Sequence, residues 1–100
     1  MARKDSIQFM TVVAVHVRFT GLVHGVMFRA TLASVASENG VKGWVRNLAD
    51  GSVEAILEGE ERAVGHVLDW ANRGPPRARV DSVKKEKVRV RNLRGFKIEG

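Results

Sequence analysis

The chain has 100 residues with no cysteine and no tyrosine, 44% hydrophobic and 28% charged side chains and a formal charge of +6. That is one domain's worth of a globular composition, enough to bury roughly two-thirds of the unfolded surface. Disulfides, thiolate metal sites, a cysteine nucleophile and a phenolic acid are all excluded. No apolar run approaches the roughly 20 residues of a membrane span, and the first ten residues lack the apolar core of a secretory signal. The absent cysteines agree with a reducing, cytoplasmic setting. The positive charge invites anions, whether nucleic acid, a membrane surface or a small phosphorylated molecule, and by itself does not choose among them.

Residues 1–11 read as a disordered tail and 12–100 as a single domain without repeats or linkers. Val13, Val15, Val17 and Phe19 alternate with Ala14, His16 and Arg18, which predicts a half-buried strand. A glycine-containing loop runs from Thr20-Gly21 to Met27. Phe28, Leu32, Val35 and Ala36 then recur at helical spacing, and Asn39-Gly40 stops that helix. Val41 to Leu48 reads as a second strand, Ala49-Asp50-Gly51 as a tight turn, and Val53, Ala55 and Leu57 as the inward face of a third strand. Glu60 to Arg73 carries an apolar stripe of Val64, Val67, Leu68 and Ala71, with acidic Glu60 and Glu61 suiting the first turn of a helix. Gly74-Pro75-Pro76 ends it. Residues 79–91 predict a basic fourth strand whose apolar phase slips between Val83 and Val88, as at a bulge or break. Phe96 and Ile98 suggest a short last strand.

The order β-α-β-β-α-β is the split βαβ pattern of a ferredoxin-like α+β sandwich. Two helices would cover one face of an antiparallel sheet of four or five strands. The third strand would lie between the first and second, so those two run in the same direction and end at one sheet edge. The loop after strand one is thereby brought near the end of strand two.

That edge holds the candidate chemistry. Gly21 to Arg29 joins a strand to a helix, and glycines with free helix N–H groups make an anion cradle. Arg29 opposes the helix dipole in the first turn unless an anion lies there to be shared by guanidinium, amides and dipole. Asn47, at the end of strand two, both donates and accepts hydrogen bonds and suits the holding of a water. Taken singly, each also has an ordinary explanation: glycine is common in strand-to-helix loops, arginine reaches solvent, and asparagine precedes turns. His16, His24 and His66 sit on separate elements without ligand spacing, so no metal site is expected.

At these residues the chain resembles the acylphosphatase family. Gly21-Leu22-Val23-His24-Gly25-Val26-Met27-Phe28-Arg29 is similar to that family's first motif, and Gly43-Trp44-Val45-Arg46-Asn47 with Gly51-Ser52-Val53 and Gly59 to its second. Gly74-Pro75-Pro76, Ala78, Val80 and Gly95-Phe96-Lys97-Ile98 extend the likeness over about residues 13–99. The resemblance implies hydrolysis of acyl phosphates to carboxylate and orthophosphate without metal or cofactor. It implies that Arg29 binds the phosphoryl group, that Asn47 positions the attacking water, and that Val23, His24, Gly25, Val26, Met27 and Phe28 form the phosphate-binding loop. The expected partners are an acyl phosphate and inorganic phosphate, as product or inhibitor, with a monomeric enzyme and neither nucleic acid nor membrane. His24 departs from the family, which has glutamine there. Its ring either adds a titratable charge to the cradle or points outward and leaves only its N–H in play.

Two other readings stand beside this one. A ferredoxin-like module binding RNA fits the charge, but Phe9, Phe19, Phe28, Trp44, Trp70 and Phe96 form no paired stacking motif. Lys84, Lys85, Lys87, Arg89 and Arg91 read as a solvated face or as protection of a sheet edge. A non-catalytic anion sensor is the other reading, and the joint presence of Arg29 and Asn47 argues against it.

Overall fold

The computed structural model describes residues 11–100. The expected tail therefore lies outside the described residues except for Thr11, whose carbonyl accepts the Glu61 N–H at 2.9 Å. The elements are β1 (Val12–Leu22), α1 (Phe28–Glu38), β2 (Lys42–Asn47), β3 (Val53–Glu60), α2 (Glu61–Ala71), β4 (Arg79–Val88) and β5 (Phe96–Glu99). Their sheet order is β4-β1-β3-β2-β5. The third strand does lie between the first and second, and the fold is the ferredoxin-like α+β sandwich.

Alternation decides the two faces. Val15, Val17 and Phe19 of β1 pair across from Leu57, Ala55 and Val53 of β3, so all six point to one side. There they meet Phe28, Leu32 and Ala36 of α1 and Val64, Val67 and Ala71 of α2 in one buried core. Phe28 is the hinge of this packing. Its ring lies 5.0 Å from that of Phe19 and 5.9 Å from that of Trp70, so the first turn of α1 is fastened to β1 and α2 together. Burying such a side chain contributes roughly 1.5–3 kcal/mol, and each aromatic contact adds about 1 kcal/mol. The helix ends follow local chemistry. Glu60 caps α2 by accepting the Arg62 N–H at 3.2 Å. Gly40 in the left-handed conformation closes α1, and the Asn39 amide donates to the Val35 carbonyl at 2.8 Å.

Two strand details differ from the sequence expectations. The sheet is mixed, because β5 runs parallel to β2. The chain leaves β4 at one edge and crosses the open face to reach the other, arriving in the direction of β2. Glu58 holds that crossing. Its buried carboxylate accepts the N–H groups of Arg91 at 2.8 Å and Leu93 at 2.7 Å. The bulge in β4 is also not between Val83 and Val88. Those residues lie opposite Phe19 and Ala14 in an unbroken ladder, and merely point to opposite faces because five positions separate them. The irregularity falls where Thr20 pairs Ser82 and Gly21 pairs Val80, leaving Asp81 as the extra residue. Lys84, Lys85 and Lys87 line this outer strand, where charge discourages edge-to-edge pairing.

The bulge depends on Gly21. At φ 123° a side chain is strained, and a Cβ there would sit 2.2 Å from the Arg79 carbonyl oxygen. Gly21→Ala is expected to cost roughly 2–4 kcal/mol, measured by urea unfolding. Loss below about 0.5 kcal/mol would show that β4 shifts freely to admit the methyl group.

Candidate active site

The cradle loop, residues 23–27, carries two left-handed residues, Gly25 at φ 69° and Met27 at φ 65°. Chain reversals of this kind turn successive N–H groups toward one concave side. Within the described chain no acceptor meets the N–H groups of Val26, Met27, Phe28 or Arg29; the first bond into the helix is Thr31 N–H to the Met27 carbonyl at 3.1 Å. The start of α1 has no side-chain cap and no acidic residue in its first turn. Free amides, the positive end of a helix dipole and a guanidinium thus share one place.

Arg29 stands there as the sequence expectation put it. Its Nη1 donates to the carbonyl of Glu99 at 3.3 Å. Glu99 is level with Arg46 in the parallel β2–β5 pairing. Adjacent strands lie about 4.8 Å apart, so this bond sets the guanidinium one strand from the end of β2, where Asn47 follows Arg46. Asn47 pairs with Val53 on the helix-covered side of the sheet. Its Oδ1 is buried and has no hydrogen-bond partner. A buried carbonyl without a donor is costly and uncommon in a native site, and it asks for a water or a ligand group.

Of the two orientations expected of the His24 ring, the structure shows the outward one. The ring turns away from the cradle and Nε2 donates to the Ser52 carbonyl at 2.8 Å, a bond that requires the proton on Nε2. The same carbonyl accepts Leu48 N–H at 2.8 Å. His24 therefore ties the cradle to the β2–β3 turn, one residue past Asn47. Nothing in the local sequence signals this bond, because its partner is a backbone atom 28 positions away.

That turn is braced from the open face. Asp50 accepts from the Ser52 N–H at 3.0 Å and its hydroxyl at 2.5 Å, and pairs with Arg18, whose Nε also donates to Ser52 Oγ at 3.2 Å. The Ser52 hydroxyl, its N–H and the Arg18 charge hold the Asp50 carboxyl below its ordinary value of 3.8. Beside it, Glu54 takes His16 Nε2 at 2.7 Å and Arg46 Nε at 2.8 Å. The His16 hydrogen bond, opposed by burial and aided by Arg46, holds the Glu54 carboxyl below 4.5. The Arg46 guanidinium also lies over the Trp44 ring, 5.1 Å from its centre.

A cleft of about 270 Å³ opens beside Arg29, bounded by Val23, Gly25, Met27, Phe28, Ala30 and Ile98. In the sequence Ile98 was legible as a strand residue and as part of the closing stretch of the family likeness, not as a residue of the site. A larger groove of about 380 Å³ between α2 and strands β1 and β4 lies at the other end of β1, against Val13, Val15, Val64 and Leu68, away from these groups. Among the described residues no three metal-ligating side chains come together, and no helix is long and apolar enough to cross a membrane.

Fold and geometry together define a ferredoxin-like α+β sandwich with an uncapped, arginine-bearing helix start at one sheet edge. The acylphosphatase family model matches residues 15–98. An acylphosphatase of Thermococcus kodakarensis is 46% identical over 88 residues, covering 88% of this chain and 97% of the relative. One from Pyrobaculum aerophilum is 53% identical over 76 residues, covering 75% and 80%. The solved acylphosphatase of Coxiella burnetii superposes with a TM-score of 0.85 at 34% identity, covering 88% and 93%. This chain belongs to the acylphosphatase family.

The lowered carboxyls make the turn acid-sensitive. Unfolded Asp50 and Glu54 bind protons at higher pH than the folded ones, so their contribution is complete above about pH 4.5 and is lost as pH falls through the lower folded values. Glu54→Gln is expected to flatten the fall of stability between pH 5 and pH 3, read as urea midpoints across that range. An identical slope in parent and variant would remove Glu54 from this role.

Proposed function

We propose that this chain hydrolyses acyl phosphates, with Arg29 and the loop amides binding the phosphoryl group and Asn47 positioning the attacking water. The observation that carries the reading is the unpartnered, buried Oδ1 of Asn47 at the strand end beside an uncapped, arginine-bearing helix start. Family membership supports the reaction class, since both residues lie in the motifs by which the chain resembles its relatives.

In this reading the phosphoryl oxygens take the free N–H groups of Val26, Met27 and Phe28 and the Arg29 guanidinium. Asn47 Oδ1 accepts one hydrogen of a water and aims its lone pair at phosphorus. The new P–O bond forms as the bond from phosphorus to the acyl oxygen breaks. The electron pair leaves with the carboxylate, a weak base that needs no protonation, and the water's proton ends on orthophosphate. Catalysis is then positioning and charge stabilisation. Arg29 and Asn47 come from one chain, so the reading needs no second subunit. The cysteine-free composition suits a cytoplasmic enzyme.

Arg29→Gln is expected to lower kcat/KM for benzoyl phosphate by roughly 10²–10³ and to abolish inhibition by inorganic phosphate. Asn47→Ala is expected to lower kcat by a similar roughly 10²-fold or more while phosphate still inhibits as in the parent. Parent-like turnover in either variant would strip that residue of its assigned role.

A further inference from the structure

We infer that Met27 and Ile98 form a subsite for the acyl group, so that the preferred substrates carry an uncharged, apolar acyl chain or ring. This rests on the hydrolytic reading above and deepens it. Exposed large hydrophobic side chains are few among the described residues, and two of them, Met27 at 69% and Ile98 at 50% exposure, lie in the one cleft that contains Arg29. Isolated apolar residues on a surface are ordinary; two flanking the phosphate-binding arginine are placed where the rest of a substrate must lie.

The backbone adds a second observation. Met27 holds the left-handed conformation at φ 65°, which an unbranched L side chain adopts at a cost. It is kept there because its carbonyl is taken twice by Thr31, by N–H at 3.1 Å and by Oγ1 at 2.7 Å. The side chain is thereby held out over the mouth of the cleft, without packing into the core. Ile98 approaches from the other side. It is level with Val45 in the β2–β5 pairing, so it points to the helix-covered side as Val45 does. The phosphoryl group in the cradle leaves the acyl carbon between these two side chains.

Charge sharpens the class. Arg29 is the sole ionisable side chain lining the cleft, and it is committed to the phosphoryl group. An acyl group bearing a carboxylate or a second phosphate would lie on apolar surface with no counter-charge, at a desolvation cost. A phenyl or alkyl acyl group would gain contact with Met27 and Ile98 instead.

The test is the ratio of kcat/KM for benzoyl phosphate to that for acetyl phosphate. Dividing each variant's ratio by the parent's cancels the intrinsic reactivity of the two acyl phosphates. Met27→Asn keeps a residue that tolerates the left-handed backbone and removes the apolar chain; Ile98→Thr keeps the β-branch and adds a hydroxyl. Both are expected to lower the ratio, Met27→Asn by roughly five- to ten-fold for about 50 Å² of lost apolar contact, and Ile98→Thr by roughly three-fold. Butyryl phosphate is expected to exceed succinyl phosphate in kcat/KM, although the net positive charge would steer the succinyl compound in faster. A ratio unchanged in either variant, or succinyl phosphate matching butyryl, overturns the inference while leaving the hydrolase intact. A parent that turns over none of these acyl phosphates overturns the hydrolytic reading, and this subsite with it.

Discussion

The rest of the site hangs on the burial of Phe28. This residue opens α1, and its ring is held between Phe19 of β1 and Trp70 of α2. A ring so enclosed cannot shift without opening a cavity. The helix start is therefore fixed by core packing, and with it the backbone from which the loop amides and Arg29 project. Arg29 would be an unfavourable residue at that end of a free helix. Here its backbone has no freedom to turn away, and the helix is held in place by core packing one residue earlier. The core thus meets a cost that only a bound anion would reverse.

A second set of contacts brings the two halves of the site together. His24 joins the cradle to the Ser52 carbonyl, and Ser52 with Asp50 and Arg18 braces the turn that follows Asn47. From the other side, the Glu58 carboxylate holds the strap that feeds β5, and the end of β5 gives Arg29 its carbonyl partner. Most of these bonds join distant segments, and several go to backbone groups. Preorganisation of this kind suits a reaction in which no side chain is consumed and geometry does most of the catalytic work.

The acylphosphatase family model matches residues 15–98, and the solved acylphosphatase of Coxiella burnetii covers 88% of this chain, so family and fold stand together. The histidine at position 24 stands where the resemblance in sequence led to an expectation of glutamine. Read as a titratable group in an anion cradle, it suggested an added charge. In three dimensions its Nε2–H serves as a plain donor to a carbonyl, a task an amide N–H can also perform.

What the sequence determined by itself was everything carried by local periodicity and local motif. Strand alternation, helical spacing, the Asp50-Gly51 turn and the glycine loop ending in Arg29 each depend on neighbours within about ten positions, and the element order follows from them. The antiparallel core order and the shared edge of Arg29 and Asn47 came from that order through general topology rules. Only the tertiary structure decided the parallel docking of β5, the place of the bulge at Asp81, the burial of Glu58 and the partner of His24. Each of these rests on a backbone N–H or C=O supplied from a remote segment. Backbone groups are the same at every position, so no pattern of side chains announces which of them will be near.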